Sequence, residues 1–257
     1  MFHLAAFWEN IDPAGALANV AAALGEQVLF INGDDIRVPD DLTQVVAAAA
    51  VVGQTTTVGA RVSSPSLRRF VNLDISPLND GTDGDCLPTS PHAVQDLRGN
   101  PIQLDPGESL NAEIDSNQTD ADDQSVIVWI ADGPIQPVAG VPVHTVRCTG
   151  AITAVIGTWT NGQLTFGQDL PSGTYQVIGM RAQGTTLVAA RLVFRGGSAR
   201  PGVLGSTDAN DLEWPHFRRG GMGVFGEFET NTPPTLDVLC NDADTAQVIH
   251  LDLVKLS

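Results

Sequence analysis

The sequence predicts an all-β protein: two tandem antiparallel β-sandwiches with a short N-terminal helix. Three observations predict it. The acidic residues are 23 Asp against 7 Glu, and with 26 Gly and 16 Pro they favour turns over helices. Short runs rich in Val, Ile, Thr and Phe, bounded by turn residues, recur along the whole 257-residue chain. Three short segments also reappear in the same order, displaced by 122 to 132 residues, the signature of an internal duplication. At 42% apolar the chain has enough material for a real core and too much for global disorder. Its longest uninterrupted apolar run, Val45 to Val52, is far short of the roughly 20 residues a bilayer requires. Met1-Phe2-His3-Leu4 has no basic region and no following hydrophobic stretch, so no signal peptide is expected.

Taken in order, the first element predicted is the helix, over about 12–25: Asp12 as N-cap, Pro13 at the first helical position, Gly25 as the stop. A strand follows at Val28 to Ile31, then an Asn32-Gly33 hairpin turn of type I′. Leu42 to Val52 looks helical because of its four consecutive alanines. Its counterpart in the duplication, Tyr175-Gln176-Val177-Ile178-Gly179-Met180, is β-branched, aromatic and alternating, so both segments read as strands. Gln54 to Val62 matches Gly184 to Leu192, with Ala60-Arg61-Val62 beside Ala190-Arg191-Leu192. Asp120-Ala121-Asp122 with Val126-Ile127 matches Asp242-Ala243-Asp244 with Val248-Ile249 at the same internal spacing. Further strands are expected at Val58–Val62, Phe70–Ile75, Ser109–Ile114, Ser125–Ala131, Val143–Cys148 and Ile152–Thr158. Others are expected at Gln163–Phe166, Leu187–Phe194, Gly223–Phe228, Thr235–Leu239 and Val248–Leu253. The domains implied are 1–132 and 143–257, joined by the Pro- and Gly-rich segment 133–142.

Thirteen basic residues, all Arg except Lys255, face thirty acidic ones, for a net charge of −17. A surface of that sign repels polyphosphate, so direct nucleic-acid binding is not expected. The charge is unevenly spread. Between Asp74 and Asp132 there are thirteen acids and one base, Arg98; between Arg181 and Arg219 there are six Arg and three acids. One reading is a solvated face and a loop cluster. The sharper reading is a self-complementary association surface, with Arg191, Arg195, Arg200, Arg218 and Arg219 as its candidate interface residues. Cys86, Cys148 and Cys240 are odd in number and form no CxxC pair, so three inert thiols are expected rather than a disulfide or zinc framework.

Acidic turns supply the candidate metal ligands. Asn79-Asp80-Gly81-Thr82-Asp83-Gly84-Asp85 concentrates short oxygen ligands that suit calcium, with Asp83 and Asp85 as candidates, although it lacks the EF-hand spacing. Asp120 and Asp122, with Asp242 and Asp244, form a second and duplicated calcium candidate; the plainer reading of each is a solvated turn. No other cofactor is expected.

Two successive sandwiches of this size resemble the double jelly-roll major capsid proteins of tailless icosahedral viruses. The stretches that carry the resemblance are Gly173 to Ala182, Ala190 to Phe194, Phe217 to Phe228 and the closing Ala246 to Leu253. The resemblance implies a homotrimer of six jelly rolls forming a pseudo-hexagonal tile beside neighbouring capsid proteins. It implies a virion location after synthesis in the host cytoplasm, and an N-terminus at the inner face over an internal membrane. Phe2, Phe7 and Trp8 would then be an interfacial aromatic anchor, or, in the plainer reading, cap the base of the first sandwich.

Enzymatic alternatives find little footing. A bicupin shares the architecture but needs an His-x-His pair, whereas His3, His92, His144, His216 and His250 are each isolated and read as surface or interface residues. There is no Gly-x-Ser-x-Gly elbow, and no carboxylate pair stands out among thirty acids. Phe217-Arg218-Arg219-Gly220-Gly221-Met222-Gly223 lacks Walker spacing and reads as an interface loop. No catalytic residue is therefore named. The alternative function is a tandem β-sandwich carbohydrate-binding or adhesin-type module, with Trp8, Trp129, Trp159 and Trp214 as stacking candidates.

Overall fold

The computed structural model describes residues 1–52, 57–64, 72–75, 78–79, 94–116, 121–206 and 215–257. Contacts divide the chain into two compact units. The N-terminal unit is Ala5–Pro134; the C-terminal unit is Ile135–Ser257 together with Met1–Leu4. Of the segment expected to connect them, 135–142 therefore groups with the C-terminal unit, where the Val138 N–H donates to the Gly220 carbonyl at 2.9 Å.

The strands of the N-terminal unit are β1 (Phe2–Ile11, whose first three residues group with the C-terminal unit), β2 (Ala18–Val20), β3 (Phe30–Asn32), β4 (Asp35–Arg37), β5 (Gln44–Val52) and β6 (Thr57–Ser63). They continue with β7 (Asn72–Ile75), β8 (Leu78–Asn79), β9 (Val94–Asp96), β10 (Ile102–Gln103), β11 (Ser109–Ser116) and β12 (Asp122–Ala131). One sheet runs β1-β12-β5, with β9 and β10 sharing the next place; the other runs β3-β4-β11-β6-β7. Both sheets feed one apolar core. Phe7, Val45, Ala48, Val126, Val128 and Ile130 of the first meet Ile36, Val62, Ile75, Leu110, Ala112 and Ile114 of the second, which makes a sandwich. The alanine-rich segment is indeed a strand. Ala47 to Ala50 have no exposure in a central strand flanked by β12 and β9, and this tertiary setting overrides helix propensity.

The C-terminal unit contains β13 (His144–Gly150), β14 (Thr160–Gly162), β15 (Leu164–Phe166), β16 (Thr174–Gln183) and β17 (Leu187–Val193). It closes with β18 (Gly202–Ser206), β19 (Gly226–Glu229), β20 (Thr235–Cys240) and β21 (Gln247–Lys255). One set of neighbours is β13-β21-β16-β19 and the other is β14-β20-β17-β18. The two join where β18 pairs antiparallel with β17 and parallel with β16, giving a nearly closed sheet. Gly205 sits at that junction, where a Cβ would run into the Leu187 carbonyl.

The two units share one pairing order. Taking as core strands 1 to 8 β1, β4, β5, β6, β7, β9, β11 and β12 in one unit and β13, β14, β16, β17, β18, β19, β20 and β21 in the other, the first sheet reads 1-8-3-6 and the second 2-7-4-5 in both units, which is the jelly-roll connectivity. The sequence repeat falls on equivalent strands: Gln44 in β5 and Gln176 in β16, Arg61 in β6 and Arg191 in β17, Val126 in β12 and Val248 in β21.

Three local expectations are corrected. The described residues contain no α-helix. Asp12 accepts the Ala14 N–H at 2.9 Å as a helix cap would, but Ala14 and Gly15 then take φ of 53° and 76°. Positive φ at two successive residues stops helix propagation, and Ala18–Val20 pairs with β11 instead. The β3–β4 hairpin does form, but its two-residue loop is Gly33-Asp34, with positive φ at Gly33 alone. That is the pattern of a type II′ turn, not I′. Ile152 to Thr158 is a loop with one isolated bridge between Val155 and Thr158. A strand the expectations omitted, β1, opens on six buried residues, apolar except for His3; its Phe2 and Phe7 are fully buried, so neither ring is presented as a membrane anchor. No described helix is long and apolar enough to cross a membrane.

Candidate functional site

The most elaborate polar arrangement among the described residues is built on Arg191, in the fourth core strand of the C-terminal unit. Its side chain has no exposure. Its Nε donates to Asp237 Oδ2 at 3.0 Å, across the register pair that joins β17 to β20. A terminal guanidinium nitrogen donates to the Leu4 carbonyl at 3.2 Å, and the guanidinium carbon lies 3.9 Å from the centre of the Trp159 ring. Asp237 Oδ1 in turn accepts the Asn161 side-chain amide at 2.7 Å. The strand from Met1 to Leu4 is held on both sides of this point. The Leu4 N–H donates to the Arg200 carbonyl at 2.9 Å, and the Arg200 N–H donates to His3 Nδ1 at 3.0 Å. The Phe2 and Phe225 rings meet edge to face at 4.9 Å.

These facts revise two expectations. Arg191 cannot serve an interface between subunits, because its charge is spent inside the unit on a carboxylate, a carbonyl and an indole face. His3 is fully buried rather than a surface or interface histidine. Asp237, Asn161 and Leu4 escaped the sequence reading, and Trp159 entered it as a sugar-stacking candidate rather than as a partner of Arg191; the available signal was a single Arg inside the apolar run Val188 to Val193, which demands a partner wherever that strand is covered.

The other predicted interface arginines divide. Arg218 makes a two-pronged pair with Asp252, at 2.7 and 3.0 Å, and the carboxylate also accepts Thr145 Oγ1 at 2.6 Å and the Arg219 N–H at 2.9 Å. Burial alone would raise the Asp252 carboxyl, but these hydrogen bonds and the Arg218 charge outweigh it and hold the group below its ordinary 3.8. Arg200 is half-buried and donates to the Gly197 carbonyl at 3.1 Å. Arg195 and Arg219 are exposed.

Of the predicted calcium ligands, Asp83, Asp85 and Asp120 lie outside the described residues. Asp122 Oδ1 accepts the Asp123 N–H at 2.8 Å, Asp242 Oδ1 the Ala243 N–H at 2.6 Å, and Asp244 Oδ1 the Ala246 N–H at 2.9 Å. The Asp244 contact, two residues along the chain, is an Asx turn; the Asp122 and Asp242 contacts are to the next residue. Among the described residues no group of three His, Cys, Asp or Glu side chains gathers as a metal ion would require. Burial pushes the Cys148 thiol up to about 12, and burial with the nearby Asp244 charge does the same for Cys240, so both behave as core side chains.

A cleft of about 330 Å³ opens between the loops that follow β15 and β19, lined by Phe166, Gln168, Asp169, Phe228 and Thr230. Tyr175 stacks on Phe228 at 5.8 Å beneath it and donates its hydroxyl to the Pro171 carbonyl at 2.9 Å. No tryptophan lines this cleft. Trp129 and Trp159 are buried, Trp8 is half-buried, and Trp214 lies outside the described residues.

No known family model matches the chain, and no curated protein matches it in sequence. Among solved structures it is similar to the major capsid protein of bacteriophage PM2, at 11% identity over 100% of this chain and 98% of that one, with a TM-score of 0.25. It is also similar to a Paenibacillus xanthan lyase, at 11% identity over 100% of this chain and 25% of that one, with a TM-score of 0.19.

Proposed function

We propose that this chain is a non-enzymatic shell protein, a viral major capsid protein that works as a homotrimer whose six jelly rolls make one pseudo-hexagonal tile. The observation that carries the reading is the repetition, within 257 residues, of one eight-stranded pairing order. Two equivalent sandwiches in one chain give three copies six similar wedges. A closed ring of such wedges tiles a surface without any chemistry at a pocket. Its partners are then further copies and neighbouring capsid proteins in a virion, and its net charge of −17 keeps it off the genome.

Light scattering on the size-exclusion peak tests this. The expected mass is three times the 27.0 kDa of the chain, and negative-stain images of that peak should show hexagonal outlines. A monodisperse monomer that binds immobilised glycans would instead establish the carbohydrate-binding alternative.

A further inference from the structure

We propose that the outer edge of β3, with Phe30 and Ile31, is the surface by which the N-terminal unit docks on the C-terminal unit of a second copy of this chain. The proposal rests on the shell-protein reading and names the contact it requires. β3 is the last strand of its sheet, and all three of its residues are exposed. Its inner side is fixed by pairing with β4, Phe30 opposite Arg37 and Ile31 opposite Ile36, so the hairpin is preformed. β3 is kept to three residues, one way of blunting such an edge, but it reads Phe-Ile-Asn and carries no lysine, proline or bulge to turn a partner away. Phe30 is 69% exposed and Leu24 62%, with Leu17 and Ile31 also exposed. Among the described residues of the N-terminal unit, every exposed large apolar side chain falls between Leu17 and Ile31. A protruding aromatic within an apolar patch is what anchors interfaces.

Charge selects the occupant. Residues 5–134 contain twenty acidic and five basic residues, whereas the rest of the chain contains ten acidic and eight basic ones. Two N-terminal units brought edge to edge would therefore repel. The C-terminal unit, with two more acids than bases, repels the N-terminal one far less than a second N-terminal unit would; it exposes Arg219, and Arg195 beside the exposed Glu227 and Glu229. Unlike-on-unlike contact is heterologous, and a heterologous contact that closes makes rings rather than two-fold dimers. The C-terminal unit shows the same feature at the equivalent connection: Val155 and Ile156, between its first and second core strands, are 57% and 48% exposed.

The test compares wild-type, Phe30→Glu and Arg195→Glu/Arg219→Glu proteins by light scattering across a dilution series, with circular dichroism to verify folding. Phe30→Glu should raise the concentration of half-assembly at least roughly tenfold. The double arginine variant should raise it less, and raised salt should narrow that difference. Trimers of Phe30→Glu as tight as wild type would overturn this contact while leaving the shell reading in place. Arginine variants that associate like wild type would remove the chosen partner face. A monomeric wild-type protein would bring down both proposals together.

Discussion

Asp252 shows how one carboxylate on β21 ties two other parts of the C-terminal unit to its strand. Thr145 on β13, Arg218 and the Arg219 backbone all donate to it. Its folded-state pKa is depressed, so the ionised form is the one that stabilises the fold. That contribution is complete above the unfolded value near 3.8 and disappears as the pH falls through the lower folded value. Denaturant midpoints of the wild-type protein should accordingly drop as the pH is lowered below about 4. Asp252→Asn, already weaker at neutral pH, should lose less of its remaining stability over that interval. Equal slopes for the two proteins would show that other carboxylates govern acid unfolding.

Equivalent elements of the two units carry equivalent residues in different settings, and the fourth core strand is the clearest case. Arg61 on β6 and Arg191 on β17 each stand opposite an acid on the seventh strand, Glu113 and Asp237. Arg61 reaches sideways to Asp74 at 2.8 Å with both side chains partly in water, whereas the Arg191–Asp237 pair is almost fully enclosed. Solvent screens the first pair, so Arg61→Ala should cost at most about 1 kcal/mol. Arg191→Ala leaves Asp237 buried without its cation and should cost about 3–5 kcal/mol, both read from urea unfolding. That the strands correspond was legible in the sequence, because Ala-Arg-Val and Ala-Arg-Leu occur at matching places in a collinear repeat. The alanine-rich β5 was legible only by analogy with its β-branched counterpart. β1 was not: its apolar residues are buried on both faces, which erases the alternation that marks a strand. The false helix had a sound cap and stop, and failed because Ala14 and Gly15 turn the chain the other way. The arginine cluster was visible as composition, yet which arginines look inward depends on what covers each strand. No local pattern records that.

At the scale of the whole molecule, the two units do not divide the chain at a single point. Its first four residues belong to the unit built from its last 123, so that unit is complete only when both ends of the polypeptide are present. The dependence is physical: Phe2 supplies a ring to Phe225, and Leu4 supplies the carbonyl that takes up part of the buried Arg191 charge. A substitution at the second residue should therefore weaken the C-terminal unit specifically. Phe2→Ala removes a fully buried aromatic and should cost about 3–5 kcal/mol. Cys148 and Cys240 make the effect readable by unit, because both are buried in the C-terminal one and their thiols are pushed up to about 12. In a Cys86→Ser background, a thiol reagent added along a denaturant series labels only chains whose C-terminal unit has opened. With Phe2→Ala the labelling should begin at clearly lower denaturant than in the parent. Unchanged labelling would mean that Met1–Leu4 lies against a unit already stable without it.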